Sequence, residues 1–366
     1  MYKSKIEVIQ VIRGIAAISV VFYHCKTKLT SDDSLKELLD WLFNSGAAGV
    51  DIFFVLSGFV MVYSIESYVV EKEISSIDFL VRRIIRIWPA YLFFTLLYLI
   101  IQHCLGEVKN EINYKLVVKS VLFLPTASSD PPHYGYPTLS VGWSLNYEIY
   151  FYCIFALSLL WKKYRYHFFF LFFITFLYLF PEMMKNTFSI KPDAGNYFEN
   201  TYLNFLTNPI CWEFAAGVLI GVLYVNKYAS QIIKKYTPKW VAYAIVVLVI
   251  WHFISGFRGG HGITGWGFSA ILLMFAAVFC FDTEKYPQRL LFLGEISYSL
   301  YLVHLPVQLF LTRIFELNGL PMLRQGQSML FLTVVTSLLI AYLSHELLEK
   351  QLYDLIVKKL KQRSVI

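Results

Sequence analysis

The sequence predicts an all-α, polytopic membrane protein with about ten transmembrane helices and both termini in the cytoplasm. Composition is the first reason: of 366 residues, 57% are hydrophobic and 18% aromatic, and the mean hydropathy is +0.55, far from a soluble globular balance. Hydrophobic run length is the second. Apolar runs of about 20 residues, enough to cross some 30 Å of hydrocarbon, start near residues 6, 46, 84, 141, 166, 208, 239, 265, 290 and 328. Charge placement is the third: with the N-terminus inside, the cytoplasmic segments hold 20 of the 32 Lys and Arg residues and the outside segments 11, as the positive-inside rule requires.

The same bias accounts for the formal net charge of +7, which suits anionic lipid head groups and gives no reason to expect nucleic acid. Cys25, Cys104, Cys153, Cys211 and Cys280 lie mostly in apolar runs without CxxC or secretory spacing, so packing is their default role. The start, MYKSKIEVIQ, has little basic region and no small-residue cleavage site, so the first run is expected to be retained. Residues 1–366 read as one integral membrane domain, with 350–366 a basic amphipathic tail at the inner interface.

The first helix, 6–25, carries Arg13 and His24 in an otherwise apolar run. Their offset is three turns plus about 20°, so they share one face roughly 16 Å apart along the axis. Such a face points into a bundle or a wet cavity and marks a functional site by default. After the polar loop 26–44, GAAGVDIFFVLSGFVMVYS re-enters the membrane with Asp51 near its outer end, where a carboxylate needs a partner or a proton. Gly46, Gly49, Ser57 and Gly58 are small-residue patches suited to close helix packing.

In the third helix Arg83 and Arg86, spaced i, i+3, lie side by side at the inner end. They are either a positive-inside anchor or a phosphate-binding pair. Pro89 is expected to bend this helix. Residues 116–125 are too short to span and read as interfacial or re-entrant. SSDPPHYGYP gives an irregular approach to the helix that holds Glu148, at about 10 Å below the outer surface.

The run from Tyr166 is expected to be short, to end at Pro181 and to face lipid. The next carries Glu213 near its outer end and Gly217 and Gly221 in a GxxxG contact spacing. His252 and His261, around FRGGHGITG, are expected at the outer surface without ligand spacing. In the ninth helix His304 lies in the outer half, and Pro306 frees backbone groups nearby.

Sorted by depth, His24, Asp51, Glu148 and His304 fall towards the outside, Arg13 midway or deeper, and Arg83 and Arg86 inside. An imidazole with a carboxylate neighbour suits general-base work on a hydroxyl. An arginine pair at the other end suits a phosphate-bearing group. The sequence has no Walker loop, HExxH, CxxC or GxSxG, so nucleotide hydrolysis, zinc chemistry and serine-hydrolase chemistry lack support.

At these residues the chain resembles the acyltransferase-3 family of integral membrane O-acyltransferases, which modify surface polysaccharides and related glycans. The matching pieces are RGIAAISVVFYH from Arg13 to His24, GVDIFFVLSGF at 49–59, RRIIR at 82–86, SVGWSLNYEIYFY at 140–152, WEFAAGVLIG at 212–221 and SYSLYLVH at 297–304. They occur in the family's order and cover nearly the whole chain. The resemblance implies transfer of an acyl group, commonly acetyl from acetyl-CoA, to a carbohydrate hydroxyl, with the pair Arg13 and His24 and the pair Arg83 and Arg86 needed for activity. Some members carry an extracytoplasmic esterase-like domain, for which no counterpart is expected here.

The expected roles follow. Arg83 and Arg86 bind the phosphates of acyl-CoA, His24 is the base, Glu148 or Asp51 orients it, Arg13 lines the acyl path, and Trp143, Tyr147 and His304 contact the substrate. No metal is expected; the partners are a carbohydrate or glycolipid acceptor and membrane lipids. A secondary transporter or flippase would also place charges along an axis, but it predicts internal repeats, and neither the Arg13–His24 nor the GWSLNYE stretch has a second copy.

Overall fold

The computed structural model describes residues 6–68, 75–105, 112–185 and 188–362, and among these there is no strand. The N-terminal MYKSK, Lys72, Lys109 and the last four residues of the basic tail, all part of the charge count above, lie outside the described residues.

Helix α1 (Glu7–Cys25) buries most of its length. Helix α2 (Lys36–Phe43) forms within the stretch read as a polar loop; it leaves Leu38, Trp41 and Leu42 exposed. Helix α3 (Gly49–Tyr68) follows and lies close on α1, because a Cβ at Gly46 would fall 2.5 Å from the Ser19 carbonyl oxygen and one at Gly49 would fall 2.5 Å from that of Ala16. Helix α4 (Ser76–Cys104) is capped by Ser75, whose Oγ accepts from the Asp78 N–H at 3.0 Å, and runs on through Pro89. The segment expected not to span forms the short helix α5 (Tyr114–Val121).

Helix α6 (Trp143–Leu159) is followed by α7 (Arg165–Ile174), a π-helical turn at Thr175–Leu179 and α8 (Phe180–Lys185). This corrects the expected end at Pro181. The wider turn moves the carbonyl that a proline ring would strike, so the helix passes through. One face of α7 is not lipid-facing: Phe169 and Phe173 are buried.

Helices α9 (Thr201–Leu206) and α10 (Cys211–Val225) come next. Helix α11 (Lys227–Tyr236) meets α12 (Lys239–Ser255) at a bend of 82°. Helix α13 (Trp266–Cys280) is apolar but short. The run near 290 breaks at Ile296 into α14 (Gln288–Glu295) and α15 (Ser297–Leu317). The last helix, α16 (Gly326–Ser344), continues through π-helical turns at His345–Gln351 into α17 (Leu352–Gln362), so the basic tail is helical in its described part.

Seven helical stretches among the described residues are long and apolar enough to cross a membrane, or eight if the bent α11–α12 pair is one span. The protein is therefore an all-helical, multi-pass membrane protein. The runs near 141 and 265 form the shorter helices α6 and α13.

The bundle is tightest where α3 crosses α10. A Cβ at Gly58 would lie 2.2 Å from the Phe214 carbonyl oxygen, and one at Gly217 would lie 1.9 Å from that of Val55. The GxxxG spacing does what it predicts. Rings fill the space beside this crossing, with Phe151 stacked on Phe214 at 3.9 Å and Tyr147 beside Phe205 at 4.3 Å. Above it, the Tyr134 hydroxyl donates to the Gly195 carbonyl at 2.7 Å and accepts from Asn208 Nδ2 at 3.0 Å, which ties the loop before α6 to the loops flanking α9.

Candidate active site

Two cavities lie back to back in the bundle. The first, about 100 Å³, is lined by Arg13 of α1, Ser57 of α3, Arg83 and Arg86 of α4, and Glu148 and Tyr152 of α6. Arg83 Nη2 donates to Ser64 Oγ at 2.7 Å, and its guanidinium stands 5.5 Å from the Phe79 ring and 5.7 Å from the Tyr152 ring. Tyr152 and Ser57 both donate to Glu148 Oε1, at 2.5 and 3.2 Å. Arg86, Glu349 and Glu148 all stand near enough to act on Arg13 by charge. Three guanidiniums around few carboxylates leave this pocket set for an anion, and guanidinium forks suit phosphate.

The second cavity, about 320 Å³, has His24, His133, Trp143, Asp193, His261 and Trp266 in its lining. Val50 and Tyr301 line both cavities and form the wall between them. The Tyr301 hydroxyl is held there by the Ser144 hydroxyl at 2.8 Å and the Val141 carbonyl at 2.9 Å. Arg13 and His24 thus open from one helix into different cavities, which agrees with their shared face and three-turn separation.

The carboxylates fall elsewhere than expected. Glu148 joins the arginines, not His24. Asp51 is fully buried, with Oδ2 2.8 Å from His261 Nδ1 and Oδ1 accepting from the Gly262 N–H at 3.0 Å. His24 stands instead against His304, ring centroids 5.2 Å apart. His304 is fully buried behind it, with Nδ1 3.3 Å from the Leu300 carbonyl and no partner for Nε2 among the described residues.

His261 corrects the expected outer-surface placement: its side chain is 12% exposed. Gly260 and Gly262, at φ +112° and +97°, let the loop fold back into the bundle. Burial pushes its imidazole pKa down, but the charge and hydrogen bond of Asp51 outweigh that and leave it raised. Burial, then the charge of His261, lowers that of His133. His252 is also engaged, with Nδ1 2.6 Å from Ser269 Oγ. Glu213 is buried beside the same loop, where a Cβ at Gly267 would fall 2.2 Å from its Oε1.

Trp143 lines the second cavity. Tyr147 does not line either one; it is fully buried and donates to the Pro132 carbonyl at 2.8 Å. Sequence reasoning missed His133, Asp193, His261 and Trp266. The signal available for His261 was the run of glycines around it in FRGGHGITG, which permits a loop to turn inward.

A family profile described as an acyltransferase domain matches residues 6–346. The chain belongs to the acyltransferase-3 family. It is similar to the exopolysaccharide production protein ExoZ of Rhizobium meliloti, 26% identical over 326 residues that cover 85% of this chain and 90% of that one. It is also similar to the O-acetyltransferase OatA of Staphylococcus aureus, 25% identical over 369 aligned positions that cover 91% of this chain and 54% of that one. This chain therefore matches about half the length of OatA. No solved structure matches the chain significantly. As an acyltransferase-3 protein it is an acyltransferase, and residues from five of the six motifs that carried the resemblance, all but 212–221, line its two cavities.

Proposed function

We propose that the protein is an O-acyltransferase of a bacterial cytoplasmic membrane, moving an acyl group, acetyl in the simplest case, from acyl-CoA to a hydroxyl of a surface or exported glycan. The observation that carries this reading is the pair of cavities meeting at Val50 and Tyr301, one rich in arginine and one in histidine. The printed names of ExoZ and OatA support a polysaccharide acceptor and an acetyl group on oxygen. On the proposed topology, in which the shorter α6 and α13 join the eight longer stretches to make ten crossings with both termini inside, the arginine cavity faces the cytoplasm, where acyl-CoA is made, and the histidine cavity faces out.

In this reading Arg83 and Arg86 hold the phosphates of acyl-CoA and Arg13 lines the path of the acyl group. His24 takes the proton of the acceptor hydroxyl, the oxygen attacks the thioester carbonyl, and the C–S bond breaks with the thiolate leaving. The thioester is already activated, so the protein mainly positions and deprotonates. Glu148, bonded to Tyr152 and Ser57, balances the arginines rather than orienting His24.

The test is acetyl-CoA binding and turnover by purified, membrane-inserted protein. Arg83→Ala with Arg86→Ala is expected to weaken binding, each lost charge-assisted contact costing about 1.5 to 3 kcal/mol. His24→Gln is expected to bind acetyl-CoA like the parent but turn it over at least about 100-fold more slowly. Parental binding in the double variant rejects the donor site; near-parental turnover in His24→Gln rejects the base.

A further inference from the structure

We infer that the histidine cavity is a binding site for an uncharged pyranose ring, with His261 as the group that orients it and Asp51 as the residue that positions His261. The inference deepens the acyltransfer reading, on which it rests for the ring's role as acceptor.

The wall of this cavity is a continuous run of aromatic rings set edge to face. His133 and Trp143 are 4.5 Å apart, Trp143 and His261 5.3 Å, and His261 and Trp266 5.3 Å. Aromatic faces carry negative charge density and receive the slightly positive C–H face of a sugar ring. The polar groups needed for its hydroxyls stand among the rings: His133, Asp193 and His261. Among the described residues the lining holds no Lys or Arg, which argues against a phosphate-bearing ligand here, and its aromatic and polar character argues against an acyl chain. At about 320 Å³ the space lies at the lower end of the roughly 300 to 1,000 Å³ of small-molecule sites, as a single ring would need.

His261 is fixed as a recognition group must be. Its Nδ1 is occupied by Asp51, which leaves Nε2 as the ring nitrogen for a ligand hydroxyl. Asp51 spends both oxygens on the His261 loop and is itself sealed from the cavity, so it acts through His261. The loop is braced from outside as well, since a Cβ on Gly262 would strike Pro192 at 2.4 Å. Trp266, in the same wall, has a buried indole N–H with no acceptor among the described residues, a group that a hydroxyl or a bridging water would satisfy.

The experiment uses the full chain in nanodiscs and, as probes, the methyl pyranosides of glucose, galactose, mannose and N-acetylglucosamine, with binding read by saturation-transfer NMR and titration. At least one probe is expected to bind saturably. Its dissociation constant should rise about tenfold or more in His261→Asn and in Trp266→Phe, the loss of one well-made polar contact, while acetyl-CoA affinity stays at the parental value. Asp51→Asn should raise the KM for that pyranoside and leave the KM for acetyl-CoA unchanged, a split that general loss of packing would not give. Absence of saturable binding by all four probes overturns the inference, as does parental affinity in both His261→Asn and Trp266→Phe. Pyranoside binding that responds as expected in a protein that never consumes acetyl-CoA supports the subsite and rejects the acyltransfer reading instead.

Discussion

Asp51 and His261 are 210 residues apart, and neither residue's local sequence names the other. The helix geometry of α1 and α6 gave the height of His24 and Glu148 in the bundle, but height along an axis says nothing about which neighbour a side chain turns towards. Glu148 therefore reads as a partner for His24 and proves to belong with the arginines. Arg13 and His24 were legible as a pair because both lie on one continuous helix, where spacing alone fixes the shared face. The His261 pair also predicts a pH effect. Its folded pKa is raised, so its contribution to stability is complete below the unfolded value of about 6.5 and is lost as pH rises through the raised folded value. The gap in melting temperature between the parent and His261→Gln should accordingly be widest below the unfolded value and narrow as pH rises above it. A gap that stays constant over that range would mean that the imidazole stabilises the loop by packing rather than by charge.

The α3–α10 crossing is the element whose packing was most readable in advance, because small residues four apart have one dominant use in a bilayer. What Gly217 and Gly58 meet are backbone oxygens, Val55 and Phe214. A backbone atom cannot rotate away as a side chain can, so the helices themselves would have to part. Gly217→Ala should lower stability by about 1 to 3 kcal/mol, measurable as a lower midpoint in thermal unfolding of detergent-solubilised protein; a parental midpoint would show that α3 and α10 can separate freely. Other elements were hidden for identifiable reasons. The apolar residues of α2 sit among charges that average its hydropathy away, and the π-helical turn before Pro181 answers a steric demand that a proline rule reads only as a stop.

Over the whole molecule, the all-helical class and the placing of the long apolar runs follow from hydropathy, whereas α6 loses apolar character because it lines both cavities with Trp143, Ser144 and Glu148. The sidedness is testable by labelling single cysteines at positions 33, 196 and 231 in a protein freed of its five native cysteines. Asp33 and Asn196 replaced by cysteine should react with an impermeant outside reagent, and Gln231→Cys should react only after permeabilisation. Outside labelling at position 231 would invert the assignment of the α10–α12 turn.

A column of ionisable side chains through a bilayer is a hazard to a cell that lives on its ion gradients. In this protein the column is interrupted where Val50 offers no hydrogen bond and Tyr301 has its hydroxyl engaged by Ser144 and Val141. Among the described residues the two linings share these two side chains and no charged one, so the ionisable groups of one cavity do not run on directly into those of the other. On the proposed acyltransfer reading the arrangement separates group transfer from ion passage: a small carbonyl fragment reaching the wall is handed over without a chain of charged groups joining the two faces.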